Sequence, residues 1–72
     1  MQDRREKRIR WVQRGQYAVE LEVDVVFPED DPSEPCLEPT TLRFLDEVAR
    51  RAELGDLDYL RRVGRVFQAI PA

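Results

Sequence analysis

Residues 17 to 27, Tyr-Ala-Val-Glu-Leu-Glu-Val-Asp-Val-Val-Phe, carry an apolar side chain at every odd position and Glu20, Glu22 and Asp24 at three of the five even ones. A period of two defines a strand with one apolar face and one acidic face. Whatever else the chain forms must therefore cover the odd face and leave the carboxylates in water or beside cations.

The segment before this strand is basic. Residues 1–14 hold six basic and two acidic groups, residues 15–41 hold eight acids and no base, and residues 42–72 are nearly balanced with six arginines and five acids. Such segregation predicts attraction between the first two segments. A reversal through a three- to five-residue loop around Gly15 sets Trp11 opposite Val19 and Ile9 opposite Leu21 on the apolar face. It also sets Arg10 opposite Glu20 and Arg8 opposite Glu22 on the other, so both faces match. A two-residue turn at Arg14-Gly15 would mix them by placing Arg10 against Val19. A helix over residues 4–14, with Asp3 as N-cap, Glu6 completing a capping box and Gly15 as stop, is the competing reading. Its stripe of Ile9 and Val12 is thin and leaves Trp11 aside, so the hairpin is preferred. Residues 1–6 are expected to fray.

Residues 28–39 contain four prolines, which end the strand after Phe27 and read as a stiff acidic connector. From Pro39, Leu42, Leu45, Val48, Ala49 and Ala52 recur at helical spacing to Glu53, with Phe44 widening the stripe. Gly55 ends this helix, and Asp56 caps a shorter one that turns Leu57, Leu60 and Val63 inward and stops at Gly64. Residues 65–70 then suit a short strand. The expected fold is a small single α+β domain in which two helices pack on the apolar face of a long N-terminal hairpin. Its expected core is Val19, Leu21, Val23, Val25, Phe27, Leu42, Leu45, Val48, Leu57, Leu60 and Val63.

Seventy-two residues bury only about 60% of the surface that the unfolded chain exposes. Small domains compensate with disulfides, metals or self-association. The single cysteine, Cys36, and the absence of histidine point to the last of these. Strand length agrees: eleven residues reach about 36 Å, beyond the roughly 29 Å width of a compact domain this size. An overhanging strand with an apolar face invites a second copy, and a homodimer is expected.

Catalysis is disfavoured. With no histidine, Ser33 and Cys36 lack the usual base, and both lie in the connector. Cys36 reads instead as a small hydrophobe against the first helix. Glu29, Asp30, Asp31, Glu34 and Glu38 lack the ligand spacing of a calcium loop and read as solvated. Pro32-Ser33-Glu34-Pro35 has the form of a polyproline ligand, but its flanks are acidic. The two helices have the outline of a helix-turn-helix, yet the second would present Asp56 and Asp58 to phosphate. No catalytic residue, cofactor or metal ligand is expected.

No apolar run is long enough to span a bilayer, the N-terminus lacks the apolar stretch of a secretion signal, and eleven arginines against one lysine suggest a GC-rich bacterial genome. The expectation is a cytoplasmic, non-enzymatic protein–protein interaction module. Its partner-facing residues would be Asp24, Glu29, Asp30, Asp31 and Glu34, together with Arg61, Arg62 and Arg65. The alternative is a small nucleic-acid-binding regulator of antitoxin type that uses Arg4, Arg5, Lys7, Arg8 and Trp11.

Overall fold

The computed structural model describes residues 4–30 and 33–69. The chain forms β1 (Arg4–Arg14), β2 (Tyr17–Phe27), α1 (Pro39–Leu54), α2 (Leu57–Val63) and β3 (Arg65–Gln68). The three strands make one antiparallel sheet in the order β1-β2-β3. This is the expected α+β arrangement, and residues 4–14 are strand rather than helix. The strand begins at Arg4, inside the stretch expected to fray.

The register of the hairpin differs from the expected one. Arg14 pairs with Tyr17 across a two-residue turn, Gly15-Gln16, in which Gly15 has φ +58, and among the described residues no non-glycine residue has positive φ. Glycine at the first central position is the type II′ turn, whose twist matches that of the strands. Val12 therefore lies opposite Val19, Trp11 opposite Glu20, Arg10 opposite Leu21, Ile9 opposite Glu22, and Arg8 opposite Val23. Arg8 and Arg10 do not cover Glu22 and Glu20. Ile9 and Trp11 instead share the acidic face.

On the odd face, Val19, Leu21 and Val23 pack with Val48 and Ala52 of α1 and Leu60 of α2, and Val12 and Val66 flank Val19 on the two neighbouring strands. Val25 and Val26 are also buried. Of the expected core, Phe27, Leu45, Leu57 and Val63 are half-buried, and Leu42 is exposed at the edge of the apolar stripe of α1.

Helix α1 opens with Pro39 and closes in a Schellman arrangement: Gly55 (φ 72) donates to Ala52 O, and the Asp56 amide donates to Arg51 O. The Asp56 carboxylate accepts from the Tyr59 amide and so caps α2. Gly64 follows in an extended conformation, and its lack of a side chain has a different cause. A Cβ there would collide with the Glu20 carbonyl oxygen and lie 2.9 Å from Leu21 Cδ2. Only glycine lets the chain pass this close to β2 as it enters β3.

The connector is partly built into the sheet. Val26 and Cys36 exchange both backbone hydrogen bonds, at 2.8 and 2.7 Å. Cys36 is consequently not tucked against α1. Opposite Val26 it is exposed, whereas its neighbour Leu37 alternates inward and packs on the core. The molecule is elongated, 49 × 23 × 16 Å, yet the apolar face of β2 is buried from Val19 to Val25.

Candidate interaction surface

Helices cover the odd face of β2. The opposite face carries Ala18, Glu20, Glu22, Asp24 and Val26 from β2, Arg5, Lys7, Ile9, Trp11 and Gln13 from β1, and Arg65 and Phe67 from β3, as the register and the alternation of side chains require. Three large apolar side chains on this face are exposed: Ile9 at 50%, Trp11 at 55% and Phe67 at 44%. The centroids of the Trp11 and Phe67 rings are 5.4 Å apart at an interplanar angle of 48°. They meet across β2 because the residue opposite Phe67 is the small Ala18.

Both signs of charge surround this apolar centre. Lys7 Nζ lies 3.2 Å from Asp24 Oδ1, and Arg65 Nη1 lies 3.8 Å from Glu20 Oε1 while its guanidinium sits 5.7 Å from the Phe67 ring. Arg5 pairs with Glu38 and links β1 to the start of α1. That pairing holds the Glu38 carboxyl below its ordinary pKa. Glu22 makes no ion pair among the described residues.

The residues expected to meet a partner are dispersed. Asp24 belongs to the outer face and also borders a shallow groove of about 230 Å³ lined by Glu22, Val23, Thr40, Thr41 and Phe44. Glu29, Asp30 and Glu34 are exposed in the connector, and Asp31 lies outside the described residues. Arg61 and Arg62 are exposed in the last turn of α2, while Arg65 stands on β3 beside the aromatic pair. Of the basic set, Arg4 and Arg8 both pair with Glu6 and lie 4.5 and 5.8 Å from the centroid of the Phe27 ring. Arg4, Arg5, Lys7 and Arg8 thus form strand positions with carboxylate partners, not a free arm.

Away from the sheet face, a polar cluster ties α1 to α2. The Glu47 carboxylate accepts from Arg50 and, at 2.7 Å, from Arg51, and Arg51 also donates to Asp56 at 2.7 Å. Its guanidinium lies 4.9 Å from the centre of the Tyr59 ring. The hydrogen bonds from Arg50 and then Arg51 lower the Glu47 pKa to about 2, and Arg51 followed by the Tyr59 amide lowers that of Asp56.

Among the described residues no group of three or more cysteine, aspartate or glutamate side chains converges to hold a metal ion, and no helix is long and apolar enough to cross a membrane. The hairpin expected from the sequence put Ile9 and Trp11 on the apolar face, Trp11 having a surface role only in the nucleic-acid alternative, and Phe67 was assigned to no surface. The glycine-first turn that places Ile9 outward was the available signal. No family model matches this chain, and no curated protein or solved structure matches it either.

Proposed function

We propose that this chain is a non-enzymatic protein–protein interaction module, bacterial and cytoplasmic, that pairs with a second copy through the outer face of its sheet. The observation that carries the reading is the exposure of Ile9, Trp11 and Phe67 together on one face. Aromatic side chains there bring large apolar area at low entropic cost, as they do at the centres of interfaces.

A second copy suits this face better than a partner of one charge. Glu20 and Glu22 run along the middle strand, with Lys7 and Arg65 on the strands to either side. A two-fold axis through such a pattern can bring acid on one copy to base on the other. Strand rise and spacing give the face a projected area of roughly 400–500 Å². That is low against the ~800 Å² per partner of a standard interface, so the dimer is reversible and concentration-dependent. The absence of histidine, the usual base for a thiol such as that of Cys36, supports the non-enzymatic reading. The excess of arginine over lysine supports the bacterial one.

Trp11 is the only tryptophan, so its emission reports on this face directly. Emission should shift to the blue as concentration rises. An emission maximum independent of concentration would count against the dimer.

An exposed aromatic pair beside Arg65 is also the form of a platform for single-stranded nucleic acid. Glu20 and Glu22 on the same face and the carboxylate partners of Arg4, Arg5, Lys7 and Arg8 weigh against phosphate. Retention on heparin at low salt that is lost as salt rises would favour this second reading.

A further inference from the structure

The edge of the sheet at β1 is distinct from the face just described. Gln16, just before β2, accepts from the Ala69 amide just after β3, and Val26 of β2 bonds Cys36 on that same side. Even-numbered residues of β2 therefore face β3 and odd-numbered ones face β1. Through the observed register, even-numbered residues of β1 bond to β2, and the amides and carbonyls of Lys7, Ile9, Trp11 and Gln13 point outward. Among the described residues no strand pairs with them.

Three of these four carbonyls are covered by the next residue's own side chain. Arg8 Nη1 donates to Lys7 O at 3.4 Å, Arg10 Nη1 to Ile9 O at 3.2 Å, and Arg14 Nη1 to Gln13 O at 2.8 Å. A guanidinium only donates, so it satisfies a carbonyl and leaves the neighbouring outward amide open. Exposed edges pair readily with any extended chain, and charged side chains placed along them are how soluble sheets resist this.

The charge pattern decides what can displace these arginines. β1 carries six basic residues and one acid, so a second β1 laid alongside would set like charges opposite one another. The chain's own acidic connector is already tied to the far side of β2 through Cys36 and Val26, and its prolines at 28, 32, 35 and 39 interrupt the run of amide donors that a continuous ladder needs. Phosphate oxygens only accept, so a nucleic-acid backbone could hold the guanidiniums but would leave the carbonyls they release without donors. An extended peptide with carboxylates at every second position meets both needs. Its amides replace the guanidiniums on the carbonyls, and its carboxylates, all on one face of the incoming strand, receive the displaced arginines.

We propose that the outer edge of β1 is the docking site for an acidic extended segment of a partner protein, added to the sheet as a fourth strand and admitted when its carboxylates draw Arg8, Arg10 and Arg14 off the edge carbonyls. Packing of two copies face to face leaves this edge open, so the two interactions are compatible. The mode is strand addition.

The test titrates the full chain with a synthetic peptide that alternates glutamate with valine and threonine, with the same peptide carrying lysine for glutamate, and with a single-stranded oligonucleotide. Amide exchange is read by NMR at each end point. The acidic peptide should bind in a salt-dependent manner and slow exchange at Lys7, Ile9, Trp11 and Gln13, amides that are otherwise open. The lysine peptide should bind at least tenfold more weakly. Arg10→Glu should lower affinity for the acidic peptide at least tenfold. Arg10→Gln, which retains a donor, guards against loss of fold and should lower it less. Saturation by the acidic peptide with no protection of the four edge amides would overturn the proposal. Equal affinity for the lysine peptide would do so too, as would oligonucleotide binding that exceeds that of the acidic peptide.

Discussion

Trp11 and Phe67 stand on strands that are not neighbours, yet their ring centroids are 5.4 Å apart, because Ala18 on the intervening strand is too small to separate them. Tilted aromatic pairs of this kind contribute about 0.5–1.5 kcal/mol beyond the area they bury. Phe67→Ala and Trp11→Thr should therefore each destabilise the chain, and a double-mutant cycle between them should return a coupling in that range by chemical denaturation. A coupling of zero would mean that the rings merely share a region of solvent.

Gly64 lies against the backbone of β2, and a methyl group there meets the Glu20 carbonyl oxygen, which cannot swing aside as a side chain can. Gly64→Ala should cost about 1–3 kcal/mol, as overpacking does. At roughly 4–8 °C per kcal/mol for a domain this small, thermal unfolding would show it as a clear fall in Tm. An unchanged Tm would show that the entry into β3 is looser than this contact implies.

Acid sensitivity should come from the junction of α1 and α2. The hydrogen bonds from Arg50 and Arg51 lower the Glu47 pKa from 4.5 to about 2, and Asp56 is lowered in the same direction, chiefly by Arg51. A carboxyl whose pKa is lower folded than unfolded adds stability above its unfolded value and loses it as pH falls toward the folded one. The contribution of Glu47 is therefore complete above about pH 4.5 and fades between there and about pH 2. Glu47→Gln should lower Tm at neutral pH, and the gap from the wild type should close across that window. Added salt should narrow the gap at neutral pH, since these groups face solvent.

The order of elements was legible because each boundary has local chemistry: four prolines after Phe27, Pro39 at the start of α1, Gly55 and Asp56 between the helices. The hairpin register was not read correctly, and the reason is a difference in energy scale. Pairing Arg10 with Glu20 and Arg8 with Glu22 made both faces agree, but such cross-strand pairs contribute only about 0.2–1 kcal/mol each. The turn is more demanding. Gly15 followed by Gln16 satisfies the one positive φ of a type II′ turn, and that choice moves every side chain of β1 to the other face.

This shift is why the candidate surface was only partly visible in the sequence. With Trp11 assigned inward, the outer face looked acidic and self-neutralised, when it is an apolar patch with mixed charge. Cys36 was misjudged for a related reason. Nothing local announces that it pairs with Val26, which turns Leu37 inward in its place. Gly64 read as a helix stop, and its contact with Glu20 exists only once β3 has joined β2.

Sedimentation equilibrium of the full chain at physiological salt, over a wide range of concentration, tests the proposed pairing through the Trp11 face most directly. The mass should rise from 8.5 kDa toward twice that value, and Trp11→Thr, matched for fold by circular dichroism, should remain at the mass of a single chain. A wild-type chain that stays at 8.5 kDa at every concentration, or a Trp11→Thr variant that dimerises as well as the wild type, would contradict the account.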